Sequence, residues 1–210
     1  MSNCNCPLPA LSEIPDSTCP FTLNQLSRFI ITKKASSIFP LTVGSSATDD
    51  PTLAAFWTAL EAPGVTDDTA IVKTPIIGGE PVVSGGEPQI EGGGDNSTFN
   101  GKAEYNGNNA SEFTGTFKRL TPEQARGLKD LSCHDLEVFF INNFGKIYGI
   151  SKDAGVTLEG IPVSALALGD RNNAGFNTQD TNMFRFSLDP RWDDYLYEVT
   201  PETAFNPLTF

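Results

Sequence analysis

The sequence predicts a mainly β protein, an antiparallel β-sandwich or barrel with one or two flanking α-helices and a long Gly-rich extended arm. Three observations lead there. Short strand-like runs separated by turn residues far outnumber helical ones, and they do not alternate with helices as a βαβ scheme requires. Fifteen Phe in a chain of 210 residues that is 39% hydrophobic supply the anchors of a packed core. Between Ile76 and Asn96, glycine pairs recur at seven-residue spacing, as Gly78-Gly79, Gly85-Gly86 and Gly92-Gly93. Glycine at that density loses too much backbone entropy for a helix, and Pro81 and Pro88 withhold ladder donors, so neither a helix nor a central strand is expected there.

Taken along the chain, Arg28–Lys34 reads as a first strand through Phe29, Ile30 and Ile31. Asp50 as cap and Pro51 in the first turn open a helix over Thr52–Glu61, with Leu53, Phe56, Trp57 and Leu60 on one face and Pro63-Gly64 after its end. Ala70–Lys73 is a short strand feeding the arm. Over Glu112–Leu120, Phe113, Gly115 and Phe117 alternate with Glu112, Thr114, Thr116 and Lys118, the period of a half-buried strand. Thr121-Pro122-Glu123-Gln124 offers a capping box with a first-turn proline and predicts a helix over Pro122–Ser132. Leu136–Ile141 and Lys146–Ile150 then flank Asn142-Asn143-Phe144-Gly145, whose residues tolerate positive φ, and so form a hairpin. Val156–Leu158, Ser164–Leu168, Met183–Leu188 and Tyr195–Val199 complete the strand list. The simplest partition is an N-terminal extension over 1–27, one domain over 28–199 with the arm inserted at 75–110, and a C-terminal tail over 200–210.

Charge narrows the partners. The formal net charge is -12, and Lys and Arg are missing before Arg28, between Lys73 and Lys102, and after Arg191. Affinity for phosphate comes from clustered Lys and Arg, so a surface that captures nucleic acid is not expected. An acidic wall suits a conduit that DNA passes without sticking. No run approaches the roughly 20 apolar residues of a membrane span, and Met1–Pro7 lacks the charged start and apolar run of a secretory signal. The expectation is a chain folded in a cytosol, without a membrane, with Cys4, Cys6, Cys19 and Cys133 as thiols.

Residues that carry chemistry are present but do not assemble into a motif. Cys133 and His134 are adjacent, whereas catalytic pairs converge from distant segments with a third orienting group; a helix end with a buried thiol is expected instead. Cys4-x-Cys6 has too little chain between its thiolates for comfortable tetrahedral zinc, so no metal site is expected. The acidic doublets Asp49-Asp50, Asp67-Asp68 and Asp193-Asp194 read as caps and solvated turns rather than a glycosidase pair. Asp170–Asn182 is rich in Asp, Asn and Gly like a calcium loop, but its twelfth residue is Thr181 where a bidentate glutamate belongs. Tyr195 and Tyr197 share one strand face, near Trp192, and read as packed interior or interface more readily than as a sugar shelf. Neither an enzyme nor a cofactor is expected.

The arm is more than a solvated linker. Ile76, Ile77, Val82, Val83 and Ile90 recur along it, and apolar side chains on a stretch without a partner in its own fold await one elsewhere. Its alternative is a long loop folded back over its own domain. The order of features over Arg28–Leu188 resembles the structural proteins of tailed bacteriophages, most closely the major tail (tail tube) protein family. That order is a strand, a capped helix with Trp57, Thr74-Pro75, a glycine-rich arm ending in Gly92-Gly93-Gly94-Asp95-Asn96, the Glu112–Leu120 strand, a helix, and the Val138-Phe139-Phe140-Ile141-Asn142 hairpin. The resemblance implies a non-enzymatic virion protein, assembled in the host cytoplasm, whose copies form rings stacked as a tail tube. The genome would pass through the channel unbound, and other phage tail or head proteins would be partners. It implies an inter-ring arm over 76–107 and a sheet that joins its neighbours' sheets edge to edge. Ile76, Ile77, Val82, Val83 and Ile90, with Glu80 and Glu87, are then the subunit-interface residues. Met1–Thr22 and Thr200–Phe210 have no counterpart in that pattern and are expected to clasp adjacent subunits. The other readings are a capsid decoration protein, a head-to-tail connector, and a carbohydrate-binding adhesin that would use Trp192 and the Asp170–Asn182 loop.

Overall fold

A computed structural model describes residues 22–34, 39–41, 50–61, 70–94, 98, 101–153, 155–173, 175–176 and 178–209. Cys4, Cys6, Cys19, Asp49, Asp67, Asp68, Asp95 and Asn96 lie outside them. The chain forms β1 (Leu26–Lys33), β2 (Phe39–Pro40), α1 (Ala54–Glu61), β3 (Ile71–Lys73), β4 (Ile77–Ser84), β5 (Pro88–Glu91), β6 (Glu104–Asn108) and β7 (Ser111–Lys118). Then follow α2 (Pro122–Asp130), a 3-10 turn (Leu131–Cys133), β8 (Leu136–Asn142), β9 (Ile147–Ile150), β10 (Thr157–Leu158), β11 (Ile161–Leu168), β12 (Thr181–Leu188) and β13 (Leu196–Val199).

Both helices begin where their caps dictate. Asp50 Oδ1 accepts from the Thr52 N–H at 2.9 Å and the Thr52 hydroxyl at 2.7 Å, and the Leu53 N–H donates to the Asp50 carbonyl. This capped turn occupies residues 50–53, so α1 starts at Ala54, two residues later than the sequence suggests. At α2 the box is complete: the Thr121 hydroxyl accepts from the Gln124 N–H at 3.1 Å, and Gln124 Oε1 accepts from the Thr121 N–H at 3.0 Å. The helix stops at Asp130 and tightens into the 3-10 turn, short of the expected Ser132.

Among the described residues, nine strands form a single antiparallel sheet. Its order is β13-β9-β8-β11-β12-β7-β4, with β1 on the other edge of β8 and β3 on β1. The sheet does not close into a barrel. Instead β11 leaves β8 after Val163 and, from Val163 on, runs with β12 across a register shift between Ser164 and Ala167, which carries β12, β7 and β4 back over β1 and β8. Phe29 of β1 records that curl, for its ring meets Phe113 edge-on at 4.8 Å and lies 5.3 Å from both Phe140 and Phe186.

Two apolar clusters result, and β8 feeds both because its alternate side chains point to opposite faces. Val138 and Phe140 join Phe29, Phe113, Phe117, Phe184 and Phe186 on the inside of the curl, where Leu128 of α2 also packs. Phe139 and Ile141 join Trp57, Phe56, Phe39, Leu158 and Phe205 on the outer face. Trp57 is wholly buried there, its indole N–H donating to the Pro51 carbonyl at 2.8 Å. Phe205 belongs to the stretch that the sequence set apart as a tail. That stretch lies along the outer face, with the Glu202 N–H on the Thr52 carbonyl and Arg28 Nη1 on the Leu208 carbonyl at 3.2 Å. Arg28 also donates through Nε to the Thr74 carbonyl at 2.7 Å, and burial lowers its pKa from the ordinary guanidinium value.

Candidate functional site

The glycine-rich segment divides into two parts with different surroundings. Its first part is β4, an edge strand of the main sheet paired with β7 from Ile77↔Phe117 to Ser84↔Glu112. Proline and glycine are tolerated because only one side of an edge strand needs ladder donors. The register slips between Gly78↔Thr116 and Val82↔Thr114, leaving Gly79, Glu80 and Pro81 bulged out of the ladder, with Gly79 at φ 81°. A bulge carrying a charge and a proline is a common way to keep a sheet edge from pairing at random.

The second part leaves the sheet altogether. β5 pairs with β6 in a separate two-stranded ribbon between Ser84 and Ser111, so β4 and β7 are one long hairpin whose far half projects past the sheet. The root of the projection is tight. The Gly86 N–H donates to the Ser111 hydroxyl at 3.0 Å, and a Cβ on Gly86 would stand 1.8 Å from the Asn109 carbonyl oxygen. Polar side chains brace the ribbon: Asn106 Nδ2 donates to Glu91 Oε2 at 2.9 Å and the Tyr105 hydroxyl to Asn108 Oδ1 at 2.7 Å. Every residue of β5 is exposed. Ile90 and Tyr105 face each other across the ribbon and remain 66% and 61% exposed, an apolar pair with no cover from this chain's described residues.

The residues expected at a subunit boundary therefore separate. Ile76 and Val82 are exposed, at 54% and 51%, and so are Ile90, Glu80 and Glu87. Val83 is half-buried against the inner cluster, opposite Phe113. Ile77 is 6% exposed and part of this chain's own core, because the strand pattern turns it inward beside Phe117. Sequence reasoning missed β6, with Tyr105, and the pairing that makes a ribbon of the arm. The only signal for it was the Glu104-Tyr105 strand-like pair on the far side of the glycines.

Leu23, Trp192 and Asp193 face Gly86 and Ser111 of the hairpin root across one hollow, and together with Leu196 they line a cleft of about 600 Å³ beside it. Trp192 is half-buried, its ring 5.8 Å from Phe140. On the rim Arg191 Nε donates to Asp194 Oδ2 at 2.7 Å, and that hydrogen bond raises the Arg191 pKa above its ordinary value. Tyr195 and Tyr197, expected in a packed interior or interface, are exposed in this chain, at 54% and 37%.

The other groups singled out in the sequence are spread apart. Cys133 and His134 are both exposed in the turn after α2, so the thiol expected to be buried is not, because the 3-10 turn swings it outward. In the Asp170–Asn182 loop, Asp170 pairs with Lys129 at 2.5 Å and Asp180 with Arg171 at 3.3 Å. The Lys129 contact lowers the Asp170 pKa from the usual carboxylate value. Asn182 Nδ2 donates to the Gly169 carbonyl. Among the described residues no group of three or more His, Cys, Asp and Glu is placed to hold a metal ion, and no helix is long and apolar enough to cross a membrane.

No protein-family model matches the chain, and no curated protein does. Among solved structures it is similar to a chain of the anti-feeding prophage (AFP) baseplate, determined by cryo-EM with 6-fold symmetrisation. The two are 10% identical with a TM-score of 0.31, over 89% of this chain and 99% of that one. A likeness of that size fixes neither fold nor function.

Proposed function

We propose that this protein is a non-enzymatic virion structural protein whose copies assemble into rings stacked as a tail tube, a conduit for the phage genome. The observation that carries the reading is the projecting β5–β6 ribbon. A two-stranded ribbon is marginal in water by itself, and this one displays Ile90 and Tyr105 on a face that its own chain leaves open. Such an element gains stability when a neighbour covers it. The bulged edge of β4 supports the same reading, because Glu80 and Pro81 restrain indiscriminate strand pairing while Val82 stays available. The charge of -12 adds a channel wall that repels DNA and keeps unassembled copies apart. On this reading Ile76, Val82 and Ile90, with Glu80 and Glu87, lie at the subunit boundary, and other tail or head proteins cap the stack.

The test is negative-stain electron microscopy of the full chain beside a variant in which residues 86–109 are replaced by Asn-Gly. Ser84 and Ser111 already approach each other at the hairpin root, so the variant keeps β4 and β7. A cut that also took Gly78–Ser84 would strip an edge strand from the sheet. Tubes or stacked rings are expected from the full chain, and folded, unstacked protein from the variant. Tubes from the variant would remove the ribbon from the interface. A full chain that stays monomeric or forms one closed ring at every concentration and salt would sink the tube reading in favour of a connector or decoration protein, which needs a foreign lattice.

A further inference from the structure

Phe176 is 97% exposed, the most exposed large apolar side chain among the described residues. It is held out by a built loop. The Asn172 N–H donates to the Thr181 carbonyl at 2.7 Å and the Thr181 N–H donates back at 3.0 Å. Asn173 bridges inward, accepting from the Gly175 N–H and donating to Asp180, while the Thr178 hydroxyl donates to the Gly175 carbonyl. Arg171 pins the base to the Leu120 carbonyl at 2.6 Å. These hydrogen bonds close the base of the loop below the ring.

The Trp192 cleft stands at the other end of the same strand. β12 runs from Thr181, directly after the Phe176 loop, to Leu188, directly before the Asp189–Tyr195 turn that carries Trp192. Its eight residues separate the two features by roughly 26 Å at 3.3 Å per residue. A chain therefore cannot bring its own Phe176 to its own cleft. The charge balance differs at the two ends: Lys118 and Arg119 stand at the base of the loop beside the Arg171–Asp180 and Lys129–Asp170 pairs, where β7 pairs with Thr181 and the Arg119 N–H donates to the Asp180 carbonyl. Asp193 lines the cleft beside the Arg191–Asp194 pair, Asp189 lies at the start of the same turn, and both Asp189 and Asp193 are exposed. At about 600 Å³, the cleft has room for a phenyl ring between Leu23, Trp192 and Leu196.

We propose that the Phe176 loop of one copy docks in the Trp192 cleft of the next. The contact is heterologous, so it adds copies in one direction until a ring closes or a stack ends. It rests on the self-assembly reading above but is made by contacts other than those of Ile90 and Tyr105 on the ribbon.

The test is sedimentation velocity on the full chain, Phe176→Ser and Leu196→Glu, with Asp193→Lys as the cleft variant should Leu196→Glu not fold. Phe176 is 97% exposed, so Phe176→Ser is expected to keep the wild-type circular dichroism. Its association is expected to need about 10- to 100-fold higher concentration, the range for burying one large apolar side chain. At concentrations where neither variant associates alone, mixing Phe176→Ser, which keeps the cleft, with the cleft variant, which keeps the loop, is expected to give a 1:1 dimer. A blue shift of Trp192 emission should accompany it. Wild-type protein that associates while Phe176→Ser associates equally well overturns this contact and leaves self-assembly standing. Variants that each fail alone and do not pair when mixed overturn the directional docking. Wild-type protein that never associates overturns the self-assembly reading together with this one.

Discussion

Asn142 is wholly buried at the end of β8 and every polar atom of its side-chain amide group faces a partner. Its Oδ1 accepts from the Phe144 and Lys146 N–H groups at 2.9 and 3.0 Å, which shapes the turn into β9, and its Nδ2 donates to the Tyr148 hydroxyl at 2.9 Å. That hydroxyl donates to Glu198 Oε2 on β13 at 3.0 Å, and Lys146 reaches the other oxygen of the same carboxylate. Burial raises the Tyr148 pKa, with the Glu198 contact adding to it, so the phenol stays protonated. Tyr148→Phe removes one oxygen and leaves a buried amide N–H and a carboxylate oxygen short of a partner. It is expected to cost about 1–3 kcal/mol, read from the shift of the urea midpoint at unchanged slope. At this scale the sequence announces the turn through Asn142-Asn143-Phe144-Gly145, but it gives no sign that Glu198, more than fifty positions on, closes the network.

Among the elements, those with local causes are legible and those with distant ones are not. The capping box of α2, the Phe113-Gly115-Phe117 alternation of β7 and the β8–β9 hairpin all lie within a few residues of their signals, and the structure has each within two or three residues of its expected bounds. Within the arm, glycine and proline say what the segment cannot be, and its apolar positions do not say what it pairs with. Whether β4 pairs depends on β7, whose partners lie 28 residues on at Ser84↔Glu112 and 40 at Ile77↔Phe117, beyond any local signal. The loop before β10 is a smaller case of local cause. Asp153 accepts from the Ser151 hydroxyl and from the N–H groups of Val156 and Thr157, and its other oxygen takes the Thr157 hydroxyl at 2.7 Å. The Thr157 hydrogen bonds, foremost among these, pull its pKa from 3.8 to about 2. A depressed carboxylate pKa adds stability above 3.8 that fades as pH falls through about 2. The Val156 and Thr157 amides are therefore expected to lose exchange protection between about pH 4 and pH 2, and to be unprotected throughout in Asp153→Ala. Protection that persists unchanged at pH 2 would refute the assignment.

For the whole molecule, the mainly antiparallel fold follows from composition and period, while its path does not. Nothing local tells β11 to leave β8 and cross to β12, which is what turns a flat sheet into one curled around Phe29. The candidate surfaces were half legible for the same reason. Exposed apolar positions on the arm stand out in sequence, whereas the Trp192 cleft needs Leu23, from the start of the described chain, and Leu196, from near its end, to meet. The placement of β8 has a further consequence, for cooperativity. One strand supplies Val138 and Phe140 to the inner cluster and Phe139 and Ile141 to the outer, so neither cluster survives the loss of the other's backbone. The two tryptophans report on the two sides, Trp57 outside and Trp192 beside Phe140 within. Denaturant curves for Trp57→Phe and Trp192→Phe, each reporting through the remaining indole, are expected to be single transitions with equal slopes, as for one all-or-none unit. A chain built this way has no partly melted form in which one face is lost and the other waits, so its main sheet reaches any assembly with both clusters formed or with neither.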